Sequence, residues 1–85
     1  MLKIIENVDG EGLAAFLGHK IFIMCGNYFY TGTLSGINDT CVLLTDASIV
    51  YETGEWSAKA YKDAQKLPSN WYVNISAIES FGAGL

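Results

Sequence analysis

Tyr28-Phe29-Tyr30-Thr31-Gly32-Thr33-Leu34-Ser35-Gly36-Ile37-Asn38-Asp39-Thr40-Cys41-Val42-Leu43-Leu44-Thr45 is the stretch that decides the fold class. Seven of its first ten residues are aromatic, β-branched or aliphatic, which reads as a strand over Tyr28 to about Ile37. Gly32 and Gly36 are four apart and fall on one side of the pleat. Glycine inside a strand costs stability, so two on one side predict sharp bending or close backbone approach. Asn38-Asp39-Thr40 is turn chemistry. Cys41 to Thr45 is the next strand, interrupted at Asp46-Ala47-Ser48 and resumed over Ile49-Val50-Tyr51.

Upstream, Lys20 to Met24 reads as a buried strand, and Gly26-Asn27 as a two-residue turn. Further upstream, Asp9 is a candidate N-cap and Glu11 lies in the first turn. Leu13, Phe16 and Leu17 follow at helical spacing, and Gly18 suits a left-handed terminus. A short α-helix over about 11–17 is predicted. Downstream, Thr53-Gly54 ends the third strand, and a polar insertion covers about 54–70. Within it, Ala58 to Lys66 is rich in helix formers and predicts a helical turn or two, stopped by Pro68, Ser69 and Asn70. Trp71 to Ile75 and Ile78 to Phe81 are the fourth and fifth strands, and the tail 82–85 is expected to be loose. The order is helix, then five strands, with the insertion between strands 3 and 4. That order predicts a mainly β fold: one domain over 1–85, a small five-stranded, strongly bent SH3-like barrel.

Composition bounds the rest. A chain of 85 residues has a marginal core of its own, yet hydrophobic residues make up 51% of this one. Part of that apolar surface is expected at subunit contacts. Five lysines face nine carboxylates and arginine is absent, for a net charge of −4. A binder that depends on broad phosphate neutralisation is therefore excluded, and any nucleic-acid role must be local. Cys25 and Cys41 form no CxxC pair, the N-terminus lacks a secretory apolar run, and no segment has about 20 apolar residues. The expectation is a cytoplasmic protein with free thiols, no membrane span and no metal site.

The run Ile21-Phe22-Ile23-Met24, the Gly26-Asn27 turn and Tyr28 to Ala47 together resemble the first motif of the Sm-like family, which includes the bacterial RNA chaperone Hfq. Gly32, Leu34, Asn38, Leu43 and Asp46-Ala47 look like the motif positions, and Val73-Asn74-Ile75-Ser76-Ala77-Ile78 looks like the frame of the short second motif. The resemblance covers about Leu13 to Phe81. It implies a closed homo-oligomeric ring, of roughly five to seven subunits here, in which the fourth strand of one copy pairs with the fifth of the next. Trp71, Tyr72, Val73, Ile75, Ile78 and Phe81 are the interface candidates it implies.

The resemblance also implies RNA contacts at the turns around Asn38, Asp39 and Thr40 and around Asn74 and Ser76. Here the chain departs from the family. Asn38 stands for the usual aspartate, Thr40 for a stacking group, and Asn74-Ile75 for an Arg-Gly pair. The Lys-His pair of the Hfq form is replaced by Ile75-Ser76. Amides and hydroxyls without charge or stacking predict weak RNA association at most. On the predicted insertion helix, Lys59, Lys62 and Lys66 share a face that a ring would repeat as a basic crown.

No catalytic constellation is present. His19 is the only histidine, and no nucleophile or carboxylate pair accompanies it. Tyr28, Phe29, Tyr30 and Tyr51 are expected to pack in the core. No cofactor and no small-molecule substrate is indicated. Two functions remain: a ring that associates weakly or atypically with RNA, and a scaffolding ring that binds proteins.

Overall fold

The computed structural model describes residues 2–5 and 11–85. The proposed Asp9 cap lies outside them. The fold is mainly β, with a six-stranded antiparallel sheet that does not close on itself.

Its strands are β1 (Lys20–Cys25), β2 (Phe29–Ile37), β3 (Cys41–Glu52), β4 (Asp63–Lys66), β5 (Trp71–Asn74) and β6 (Ile78–Ala83). The sheet runs β4-β3-β2-β1-β6, and β5 also pairs with β3. The long β3 therefore carries two short partners on one edge. Residues 48–52 pair with β4 and residues 41–44 with β5.

Bending is concentrated where the sequence reading puts it. The β2–β3 register shifts between Thr31 and Thr33 and again between Leu34 and Gly36. At the first shift β3 passes through Asp46, whose φ of 50° is left-handed, and continues without a break to Glu52. The predicted interruption at Asp46-Ala47-Ser48 is thus an irregularity inside one strand. Gly32 faces it closely. A Cβ built there would lie 2.9 Å from the Thr45 carbonyl oxygen and 3.2 Å from the Ala47 Cα. Only a residue without a side chain lets the two backbones approach this far.

The core is Ile21, Ile23, Leu34, Val42, Leu44, Ala47 and Val73. Strand alternation turns Phe22 the other way, yet it is also buried. The insertion covers it. Tyr61 stacks on its ring at 5.4 Å, and Trp56 meets it edge-on at 5.3 Å. Strand β1 is therefore buried on both faces, the second face under an aromatic strap.

Several expectations are corrected. Residues Gly12–Phe16 form a 3-10 helix, not an α-helix over 11–17. Its Glu11 cap makes no side-chain capping bond, and Gly12 has a φ of +60°. Five residues are too few to repay α-helix nucleation. Gly18 does take the left-handed conformation expected of it, at φ +84°. Strand β2 starts at Phe29, so the turn after β1 spans three residues, closed by Cys25 N–H donating to the Tyr28 carbonyl at 3.0 Å.

The predicted helix over Ala58 to Lys66 is absent, and its second half is β4. Residues Asp63 to Lys66 find main-chain partners along the open edge of β3, from Glu52 back to Ser48. A sheet edge offering a full ladder outweighs a few tenths of a kcal/mol of helix propensity per residue. The tail is anchored instead of loose. β6 runs to Ala83, Gly84 N–H donates to the Lys20 carbonyl at 3.0 Å, and Leu85 N–H donates to the Tyr61 hydroxyl at 3.0 Å.

Candidate functional site

The turns at 38–40 and 74–76 are far apart in the chain, and the β3–β5 pairing brings them together. Cys41 faces Asn74 in the register, and Ile75 N–H donates to the Thr40 carbonyl at 2.9 Å. A cleft of about 550 Å3 opens beside them, lined by Leu13, Ile37, Asn38, Asp39, Ile75 and Phe81 among others.

The chemistry of the first turn is turned inward. Asn38 Oδ1 accepts from Thr40 N–H at 2.8 Å, Cys41 N–H at 2.9 Å and the Thr40 hydroxyl at 3.1 Å. These bonds build an Asx turn and consume the acceptor that would read a base edge. Asp39 adds an exposed carboxylate, which repels phosphate. Asn74 and Ser76 are exposed, and their side chains make no hydrogen bond among the described residues. No lysine lines this cleft.

Lys59, Lys62 and Lys66 do not share a helical face. Lys62 pairs with Glu52 at 3.3 Å and Lys66 with Asp46 at 3.2 Å. Lys59 and Lys62 line a different cleft, between the insertion and β2–β3, and Lys20 joins them there. The sequence reading missed Lys20 because its proximity depends on the β1–β2 pairing.

The interface candidates divide. Val73 is 5% exposed and belongs to the core, so it is not available to a neighbour. Trp71, Ile75 and Ile78 are half-buried against that core. Tyr72 is 66% exposed and Phe81 is 40% exposed, with Phe81 edge-on to Phe16 at 6.0 Å. Tyr72 sits on β5 and Phe81 on β6. Among the described residues, no strand pairs with the outer edge of either.

Of the aromatics expected in the core, Tyr30 packs there and Phe29 meets Phe22 at 5.6 Å. Tyr28 and Tyr51 are exposed instead. Tyr28, Tyr30, Trp71, Tyr72 and Cys25 line an apolar cleft of about 320 Å3 next to β5. Burial there pushes the Cys25 thiol above its ordinary range, and the Glu79 carboxylate pushes it further. Burial likewise raises Tyr30. Only the thiolate is nucleophilic. Cys25 is therefore expected to react with iodoacetamide at pH 8 more slowly than free cysteine. Peptide mapping of the alkylated protein measures this, and an equal rate would contradict the assignment.

Among the described residues, no group of three or more His, Cys, Asp and Glu side chains could hold a metal ion. No helix among them is long and apolar enough to cross a membrane. The main chain of His19 bonds to Phe16 and Leu34, and its side chain has no hydrogen-bond partner among the described residues. Comparison with protein-family models, with curated proteins and with solved structures yields no match.

Proposed function

We propose that this chain is an Sm-like, SH3-type barrel subunit of a cytoplasmic homo-oligomeric ring that serves as a structural scaffold for protein partners. The supporting observation is the pair of unpaired edges at the two ends of the sheet. β5 and β6 each present a main-chain ladder, and each carries an exposed aromatic, Tyr72 and Phe81. Open edges of this kind invite pairing. β4 lies on the same side of β3 as β5, but its four residues are polar or small and all exposed, which discourages it. A heterologous β5–β6 contact repeated around a closing rotation leaves neither of these two edges free.

The scaffolding role is preferred to RNA readout because the Asn38 acceptor is spent inside its own turn and Asp39 lies beside it. Weak RNA association at the turns is the second reading. It is favoured by the contact between the 38–40 and 74–76 segments and by the unpaired side chains of Asn74 and Ser76.

Light scattering at micromolar concentration is expected to give a multiple of the 9.3 kDa subunit, and a clean monomer would refute the ring. Fluorescence anisotropy with uridine-rich and adenosine-rich RNA separates the two roles. The scaffold predicts no binding that Asn74→Ala or Ser76→Ala weakens. A loss of about tenfold in either variant would establish readout at the turns.

A further inference from the structure

We infer that the cleft between the insertion and the outer side of β2 and β3 is a phosphate site for a nucleotide, free or within a single strand. The cleft holds about 460 Å3 and is separate from the turns discussed above. Lys20, Lys59, Lys62, Thr31, Ser48 and Tyr61 contribute polar groups to its lining. Lys66 pairs with Asp46, which also lines it. Four of the five lysines of an acidic chain thus gather about one cleft.

The unpaired groups define what the cleft takes. Among the described residues, Lys62 and Lys66 are each held by a carboxylate, whereas Lys20 and Lys59 have none within ion-pairing distance. The half-buried Ser48 hydroxyl has no hydrogen-bond partner among them. The Tyr61 hydroxyl accepts from Leu85 N–H and lies 3.5 Å from the Thr31 hydroxyl. Thr31 already donates to the Ile21 carbonyl, so in its contact with Tyr61 the tyrosine is the donor. Two ammonium groups and the Ser48 hydroxyl around one cleft match the oxygens of a phosphate. The Asp63 carboxylate on the same wall also lacks a cation, and it weakens anion binding by like charge.

The aromatic strap supplies the second half of the site. The Trp56 ring lies edge-on to Tyr61 at 6.5 Å and is 53% exposed. Trp56 itself lines a second cleft, with Phe22 and Met24, and meets the first through Tyr61. An exposed indole face stacks any base without reading its sequence. The site needs only one copy of the chain, so it does not depend on ring formation.

Binding is measured with a fluorescein-labelled single-stranded dodecauridine, with adenosine monophosphate and inorganic phosphate as competitors, at 20 and 200 mM salt. The oligonucleotide is expected to bind at 20 mM and to weaken at 200 mM. Lys20→Glu and Lys59→Glu are each expected to weaken it by about tenfold, and Asp63→Asn to tighten it by about threefold. Trp56→Ala is expected to weaken the oligonucleotide and the mononucleotide but not inorganic phosphate, and Trp56→Phe to restore both. Competition by the mononucleotide at concentrations where phosphate alone fails supports a site for free nucleotide. Competition by neither supports a strand. No binding of any probe at 20 mM salt would overturn the inference. So would oligonucleotide binding that survives Lys20→Glu and Lys59→Glu but is lost in Asn74→Ala.

Discussion

Gly32→Ala is expected to lower the unfolding midpoint by about 10–20 °C, the equivalent of about 2–3 kcal/mol for a domain this small. The new methyl would stand 2.9 Å from the Thr45 carbonyl oxygen, 3.2 Å from the Ala47 Cα and 3.3 Å from the Leu44 Cβ. Two of these atoms are main chain, in the strand that carries most of the sheet, so they cannot swing aside. β2 and β3 must separate at the point where the β3 backbone is kinked at Asp46. Leu34, Leu44 and Ala47, all essentially inaccessible, flank that point and would lose packing. Gly36→Ala is the matched control. Its Cβ would meet only the Leu43 side chain, at 3.4 Å. Removing backbone freedom from the unfolded chain then offsets the contact, and the change is expected to stay within about 1 kcal/mol. Thermal denaturation of the two variants measures the difference. Equal shifts would show that the close approach at Gly32 is not what bends the strand.

For the ring proposed above, Tyr72→Asp is expected to reduce the assembly to the 9.3 kDa subunit without unfolding it. Tyr72 is 66% exposed on β5, so the isolated fold barely depends on it, and circular dichroism should be unchanged. In a ring built through β5 and β6, the same position is covered by a neighbour. A carboxylate buried there without a partner costs several kcal/mol. At about 3 kcal/mol, each contact weakens by about a hundredfold, and every contact in the ring carries the change. Light scattering or native mass measurement reads the result. An assembly mass that survives the substitution would move the interface away from β5.

The lessons of the two glycines differ. Spacing puts Gly32 and Gly36 on one side of a strand and predicts bending, and both register shifts of β2 fall beside them. Spacing cannot tell that Gly32 alone faces main chain, because the distance is set by which residues of β3 lie opposite. The five strands expected from periodicity and turn chemistry are all present. The sixth, Asp63–Lys66, was illegible because its residues favour helix locally and become a strand through the open edge of β3. The same event disperses the lysines expected on one helical face.

The candidate site was legible in part. The turn character of Asn38 to Thr40 follows from residue type, and the structure shows its bonding. That this turn touches Ile75 follows only from the β3–β5 register. Trp56 and Tyr61 are aromatics in a polar stretch, and nothing local says that they cover Phe22. The run Lys20 to Met24 carried the hint, since an apolar residue between Ile21 and Ile23 needs cover on the other face.

By itself, then, the sequence determined five of the six strands, the turn character of Asn38 to Thr40, the bend in β2 and the absence of cationic groups at the 38–40 and 74–76 turns. Each depends on residue type and spacing within a few positions. The tertiary structure decided which edges stay unpaired, which glycine is irreplaceable and where the lysines gather. Those outcomes depend on contacts between residues distant in the chain, and such contacts outweigh local preferences of a few tenths of a kcal/mol.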